Sequence, residues 1–319
     1  MPGAPRIFAV TLLSLSTAVA LAASDEALNG RWMIEPLGEN AGRVLWLEVN
    51  GVGRGPISGF MVGGGPGGQL DPIHDARIEQ GQLQFHLERR FRRDPQRIVR
   101  TPVTVALRDG VLHGVAHRQR NSLLWIGRRA PVIRDRDDGS WKPGRPVVLF
   151  GGKNTEGWHT LRPGREDGWY VEDGALKNHD GADVLVSDRK FWNFRLEADY
   201  RVHAGMNGGI GLRGRYEIQI LDDHGQPASD HGNGALYGRI APSANASRPA
   251  GEWQTLDARL VGRELSVTLN GVPTIERQVI SGFTAMATDW REGQPGPISL
   301  QGDHGAVEFR RIVVTPLEK

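Results

Sequence analysis

The chain has 319 residues and no cysteine, which excludes thiol nucleophiles, disulfides and cysteine-ligated metal sites. Its 39 Lys and Arg residues nearly balance its 37 Asp and Glu residues, so the formal net charge of +2 gives no support to a nucleic-acid-binding protein. The 43 glycines, 19 prolines and mostly period-two hydrophobic pattern favour an all-β protein without long amphipathic helices.

Residues 1–22 have the features of an export signal. Arg6 gives a small positive region, Ile7–Leu15 an apolar region, and Ala20–Ala22 a small-x-small cleavage pattern. The apolar run is too short for a membrane-spanning helix. We therefore expect cleavage after Ala22 and a periplasmic or secreted mature protein, with no integral membrane segment after signal removal.

Residues 27–131 contain eight short period-two segments, typical of an antiparallel meander. The pairs Gln80-Gly81 and Asp109-Gly110 are hairpin signals between such segments. Eight strands in about a hundred residues predict a small β-barrel or β-sandwich with a lipocalin-like outline. The predicted strands are Gly30–Glu35, Val44–Asn50, Ile57–Val62, Ile73–Ile78, Gln82–Arg89, Val99–Leu107, Val111–His117 and Leu124–Gly127.

A charged stretch rich in proline and glycine follows. Residues 132–146 lack hydrophobic periodicity, and the run Arg134–Pro146 reads R-D-R-D-D-G-S-W-K-P-G-R-P. Such a composition predicts a linker between the first β domain and a second domain at residues 147–317.

The sequence from Asn207 to Asp222, N-G-G-I-G-L-R-G-R-Y-E-I-Q-I-L-D, is the strongest candidate for chemistry. Alternation along a strand puts its apolar residues on one face and Arg213, Arg215, Glu217 and Gln219 on the other. A row of cations, a carboxylate and an amide can bind hydroxyl-rich ligands and transfer protons. The alternative is an ordinary solvated strand face.

The second domain carries an ordered series of sequence landmarks. They are L-F-G-G-K at 149–153, W-Y-V-E-D-G-A-L at 169–176, the strand from Phe194 to Tyr200, the 207–222 sequence, G-A-L-Y-G at 234–238, L-N-G at 269–271, I-S-L-Q at 298–301, His304-Gly305 and Phe309-Arg310. With these landmarks the domain resembles a bacterial domain family named for 3-keto-glucoside lyase and 3-keto-2-hydroxyglucal hydratase activity, formerly named 3-keto-disaccharide hydrolase. The resemblance implies a concanavalin A/laminarinase-like jelly roll, and the alternation between Phe194 and His203 independently agrees with such a sandwich.

This resemblance implies cleavage of 3-keto-glucosides by proton abstraction at carbon 2 and elimination, followed by hydration, which is net hydrolysis. We predict Glu217 as the base and His304 as the second choice, with Arg213 or a bound divalent cation polarising the ketone. Gln219, Tyr237, Asp222 and Arg310 complete the predicted set as substrate-binding residues. The predicted partner is a 3-keto-glucoside or related sugar.

Several alternatives stay open at this point. A jelly roll serves non-catalytic carbohydrate-binding modules as readily as enzymes. Tyr237 is also consistent with a core aromatic, and His304 with a cap on a glycine-rich turn. The cluster formed by Asp222–His224, Asp230 and His231 is consistent with a cation site or with a solvated loop.

Overall fold

The structure, a computed structural model, describes residues 25–38, 44–62, 70–91, 94–118, 121–162 and 168–319. The predicted export signal at residues 1–22 lies outside these residues. Within them, no helix has the length and apolar character needed to cross a membrane. The described chain is built from strands, as its composition predicts.

The strands are numbered here in chain order. They are β1 (Gly30–Pro36), β2 (Leu45–Asn50), β3 (Ser58–Val62), β4 (Leu70–Glu79), β5 (Gln82–Phe91), β6 (Asp94–Arg108), β7 (Val111–Ala116), β8 (Leu123–Arg129), β9 (Lys142–Pro143), β10 (Val147–Phe150), β11 (Trp158–Thr160), β12 (Trp169–Glu172), β13 (Ala175–Asn178), β14 (Leu185–Phe191), β15 (Phe194–Val202), β16 (Asn207–Leu212), β17 (Tyr216–Leu221), β18 (Gln254–Val261), β19 (Glu264–Leu269), β20 (Val272–Val279), β21 (Gly296–Leu300) and β22 (Val307–Glu318).

Strands β1 to β8 form a closed antiparallel barrel in which each strand pairs with the next and β8 returns to β1. The predicted hairpins are present, because Gln80-Gly81 and Asp109-Gly110 adopt the positive φ angles that tight β-turns require. Large apolar side chains such as Trp32, Phe85 and Trp125 are buried among the residues of the barrel core. Of the two architectures that the sequence left open, the barrel is therefore the one observed.

The remaining strands form a jelly-roll sandwich, which confirms the predicted fold class. One sheet has nine strands in the order β12-β13-β22-β15-β18-β19-β20, with β9 and β10 also pairing with β22. The other has five, in the order β11-β14-β21-β16-β17. Along β15, Phe194, Leu196 and Tyr200 are buried and alternate with more exposed polar residues. The buried rows of both sheets meet in one core.

The segment predicted as a linker is fastened to the sandwich. The Asp135 carboxylate accepts hydrogen bonds from Trp192 Nε1 at 2.7 Å and Asn193 Nδ2 at 2.9 Å. Asp137 pairs with Arg259 at 2.7 Å, and β9 extends the nine-stranded sheet. These contacts hold the chain that leaves the barrel against the sandwich; the predicted domain boundaries stay a prediction.

The barrel also packs directly against the sandwich. Met33, Trp46 and Val62 point away from the barrel interior and belong to the same core cluster as the sandwich residues. The Trp46 ring lies against Gly282, where an added Cβ would come within 3.0 Å of the ring. The two units therefore share apolar surface next to the loop that follows β20.

Candidate functional site

The hairpin of β16 and β17 carries the polar residues singled out in the sequence. Ile210, Leu212, Ile218 and Ile220 face the sandwich core, as predicted from strand alternation. The opposite face holds Gly209 and Gly211 on β16 opposite Gln219 and Glu217 on β17. This face is not open to solvent, since 6% of Gln219 and 2% of Glu217 are exposed.

Glu217 is the central residue of this face. A Cβ on Gly209 would come within 2.7 Å of Glu217 Oε1, so the glycine makes the space that the carboxyl group occupies. The backbone N–H of Met286 donates to the carboxyl group, and the Glu217 N–H donates to Thr284 Oγ1 at 2.9 Å. Among the described residues, the buried Oε2 atom has no hydrogen-bond partner. It is free to bond to a ligand.

Burial controls the charge of Glu217. Loss of solvent raises its pKa to about 8, and the negative charge of Asp303 adds to this effect. The Met286 N–H and the positive charge of Arg239 act in the opposite direction but do not cancel the burial effect. At neutral pH the group is thus mostly protonated and lies close to its titration point, as an efficient proton-transfer group does.

Arg239 is the cation of this cluster and was not predicted. Its Nη1 donates to the Gly238 carbonyl at 2.8 Å, and its Nη2 donates to the Phe283 carbonyl. Burial lowers its pKa to about 10, while the carboxylates of Asp71, Asp230 and Glu217 favour its charged form. The guanidinium remains charged at neutral pH.

Tyr237 and the pair Asp303–His304 are the more exposed neighbours. The Tyr237 N–H donates to the Glu217 carbonyl at 3.0 Å, and burial together with the charge of Glu217 raises the pKa of its phenol. His304 Nδ1 lies 2.7 Å from Asp303 Oδ1, and 53% of its side chain is exposed. Because the Asp303 charge reaches Glu217, the predicted second base sits beside the cluster.

Ser299 is a further polar residue on the same face that sequence reasoning missed. Gly211 pairs with Glu217 on one side and with Ser299 of β21 on the other. A side chain on Gly211 would collide with Ser299 Oγ, which is buried and has no hydrogen-bond partner among the described residues. The face therefore holds two buried polar atoms, on the two strands that flank β16, that are available to a ligand.

The predicted ketone-polarising role of Arg213 needs correction. Its buried guanidinium donates to the carbonyls of Trp192 and Gly262 and to Asn193 Oδ1, and it stacks on the Trp192 ring at 4.1 Å. Arg213 lies in the turn between the two strands with a φ of 55°, so strand alternation does not set its direction. Its hydrogen bonds tie the turn to the sandwich instead of facing a substrate.

Arg310 also needs correction as a substrate-binding residue beside Glu217. It extends from β22 onto the outer face of the nine-stranded sheet, where Nε lies 3.2 Å from Asp199 Oδ2 and the guanidinium covers Trp253 at 4.6 Å. The core separates this face from Glu217, because β22 pairs with β15 and not with the hairpin. Its landmark sequence does not indicate to which sheet the strand belongs.

The predicted acidic cluster forms structural hydrogen bonds. Asp222 accepts from the Gly205 N–H at 2.9 Å, and Asp223 accepts from the Asn233 N–H and from Ser247 Oγ. In the part of the chain that the structure describes, no group of three or more His, Asp or Glu side chains is placed to hold a metal ion. Asp222 therefore orders the turn before β16.

Known proteins of three kinds resemble the chain. A 3-keto-disaccharide hydrolase of Bacteroides thetaiotaomicron is 26% identical over 144 residues, which cover 34% of this chain and 49% of the relative, so the chain spans about half of that protein's length. A crystal structure from Parabacteroides distasonis, provisionally described as a glycosyl hydrolase, is 25% identical with a TM-score of 0.47 and covers 58% of this chain and 91% of its own. A carbohydrate-binding module of Bacillus subtilis is 14% identical with a TM-score of 0.31, covering 51% of this chain and 96% of its own.

The family assignment rests on a longer match. The family described as the 3-keto-alpha-glucoside-1,2-lyase-like domain matches residues 145–315, which is more than half of the chain. This range includes the whole hairpin of β16 and β17 and every sandwich strand from β10 to β21. The chain belongs to the 3-keto-alpha-glucoside-1,2-lyase-like family.

Proposed function

We propose that this protein cleaves glycosides whose sugar carries a ketone at carbon 3. Family membership and the relative named 3-keto-disaccharide hydrolase support a sugar substrate of this class. The single observation that carries the proposal is the buried Glu217 carboxyl group, whose pKa is raised to about 8 and whose Oε2 has no partner among the described residues.

The chemistry needs only one strong base. A ketone at carbon 3 acidifies the hydrogen on carbon 2, so a base can remove that proton and leave an enolate. The enolate expels the oxygen substituent from carbon 1, and the departing oxygen takes up a proton. Water then adds across the new double bond, with hydroxyl going to carbon 1 and hydrogen to carbon 2. The net result is hydrolysis of the glycosidic bond.

Glu217 suits the proton transfers in this sequence. A carboxylate whose conjugate acid has a pKa of about 8 is a stronger base than an ordinary carboxylate, and it can return the proton in the next step. We expect substrate to approach from the side of Tyr237 and His304, the more exposed neighbours, since only 2% of Glu217 is exposed.

The remaining residues have supporting roles in this proposal. Arg239 supplies the positive charge that favours the anionic carboxylate and the enolate. Tyr237 and Gln219 bind sugar hydroxyls, and His304 with Asp303 is the second candidate base. Arg213 has no part in the reaction, because its guanidinium is fully used inside the protein.

The test is to incubate the purified protein with a 3-keto-glucoside and follow released sugar and the ultraviolet absorbance of the unsaturated keto sugar. The matched control is the same glucoside without the ketone. Turnover of the keto substrate alone, with transient absorbance, supports the mechanism. Cleavage of both substrates without absorbance contradicts it. Binding without turnover would identify a carbohydrate-binding module instead.

Export remains a proposal from the first 22 residues. A signal cut after Ala22 would place the mature protein in the periplasm or outside the cell. N-terminal sequencing of the protein from a fractionated native host tests this. A mature chain that starts at residue 23 supports export, and an intact N-terminus in the cytoplasmic fraction contradicts it.

A further inference from the structure

Residues 282–286 connect the barrel to Glu217. This segment follows β20 and lies between the outer surface of the barrel and the polar face of the hairpin. The proposed reaction uses only residues of the sandwich, yet the contacts of this segment give the barrel a direct connection to the site.

On the barrel side, the contact is tight and apolar. The Trp46 ring lies against the Gly282 backbone, and both Trp46 and the neighbouring Phe283 are almost fully buried in the shared core. Gly282 has a φ of 72° and no side chain, which permits this close approach. Movement of the Trp46 ring would therefore free the segment.

On the site side, the next residues bond to the cluster around Glu217. The Phe283 carbonyl accepts from Arg239, and Thr284 Oγ1 accepts from the Glu217 N–H at 2.9 Å. Thr284 Oγ1 also lies 3.2 Å from the Arg215 carbonyl, and the Met286 N–H donates to the Glu217 carboxyl group. The segment thus covers Glu217 and holds it.

A barrel residue also reaches the cluster through its charge. Asp71, near the start of β4, interacts electrostatically with Arg239, and the two groups favour each other's charged forms. Arg239 in turn acts on Glu217. Asp71 thus favours the charged form of Arg239, the cation that acts on Glu217.

We propose that the barrel is part of the Glu217 site, with Trp46 as a positioning residue. Trp46 fixes residues 282–286 over the carboxyl group and keeps water away from it. Any effect of Trp46 on turnover rests on the proposed function, whereas its effect on the titration of Glu217 does not.

The charged and titratable groups around Glu217 define the expected effect. Arg239 and Asp303 act on it directly, Tyr237 lies beside it, and residues 282–286 contain no charged side chain. Removing the Trp46 ring should admit water and so lower the pKa of Glu217.

The experiment follows the Glu217 carboxyl carbon by NMR in the full chain labelled with ¹³C at glutamate side chains. Glu217→Gln identifies the signal. Trp46→Ala should move the midpoint to lower pH by roughly one unit or more, the size of effect that partial rehydration of a buried carboxyl produces. Trp46→Phe keeps a ring against Gly282 and should restore the original midpoint.

Leu124→Ala is the matched control, since Leu124 is an exposed apolar residue of β8 on the outer surface of the barrel. It should leave the midpoint unchanged. If Trp46→Ala does not fold, as judged by circular dichroism, Trp46→Leu decides, since it removes the ring but keeps more of the apolar volume. A folded Trp46→Ala or Trp46→Leu with an unchanged midpoint overturns the proposal, whatever its melting temperature. Absence of turnover in every variant would refute the proposed function while leaving this titration test intact.

Discussion

The charged side chains on the outer faces of the two sandwich sheets differ in their solvent exposure and in their ion pairs. On the nine-stranded sheet, Asp257 pairs with Arg195, Asp199 with Arg310, and Glu197 lies near Arg311. All of these side chains keep contact with solvent, although a groove of about 270 Å³ runs between several of them. On the five-stranded sheet, Glu217 is enclosed and lacks a bonded counter-ion among the described residues.

This difference shows that a carboxylate on the polar face of an alternating strand is not by that alone a reactive group. Both faces come from strands that alternate apolar and polar residues, and the exposed face has more carboxylates. Carboxylates that are solvated and paired with cations are poor bases, because water and the cation both stabilise the charged form. Burial without a bonded cation brings the pKa of Glu217 close to neutral pH, and that burial comes from elements far away in the sequence.

Glu217→Gln has the largest expected effect, and it distinguishes the two faces by their contribution to turnover. Glutamine keeps the shape and bonds to hydroxyls but cannot accept the proton from carbon 2, so turnover of a 3-keto-glucoside should fall by at least about 100-fold. Initial rates and substrate binding by calorimetry measure this. Asp257→Asn, on the other sheet, should retain activity. A Glu217→Gln protein that keeps most of its rate would transfer the base role to His304.

Arg213→Met should cause the largest loss of stability. It removes a buried cation and leaves the carbonyls of Trp192 and Gly262 without their donor, at a cost of roughly 3–5 kcal/mol in the free energy of unfolding. Chemical denaturation measures it. Arg195→Met, the control on the exposed face, should cost at most about 1 kcal/mol. Equal losses of unfolding free energy in the two variants would contradict the difference between the buried and the exposed arginine.

The free energy of unfolding should depend on pH through the titration of Glu217. Its pKa is about 8 in the folded protein against an ordinary 4.5, so between these values the unfolded chain releases the proton first. Its contribution to stability is complete below about pH 4.5 and is lost as the pH rises to about 8. Unfolding curves at several pH values test this against Glu217→Gln, in which that loss should vanish. Parallel curves for both proteins would show that Glu217 is solvated.

Asp257→Asn should have the smallest effect. The pair with Arg195 is solvent-exposed, so its loss should change the free energy of unfolding by about 0–1 kcal/mol, and less at high salt. Denaturation at low and high ionic strength measures this. A loss of several kcal/mol of unfolding free energy that persists in high salt would mean that this face is as shielded from solvent as the face that carries Glu217.

Much of the fold could be predicted from the sequence. The eight barrel strands and their hairpins follow from period two and from pairs such as Asp109-Gly110. The alternation in β15 and the orientation of Glu217 away from the core also follow from local pattern. The prediction for Arg213 is wrong because strand alternation does not continue through a turn, where positive φ angles redirect the side chain.

The sequence by itself determined which residues could form strands, which side of each strand is apolar, and which family the second half resembles. These properties are local, because side-chain direction and turn geometry depend on neighbouring residues. Only the tertiary structure decided that Glu217 is buried from solvent, that the charges of Arg239 and Asp303 shift its pKa, and that Arg310 lies on the other sheet. Burial and electrostatic interaction depend on distance in space, and Asp71 meets Arg239 only because the folded barrel packs against the sandwich.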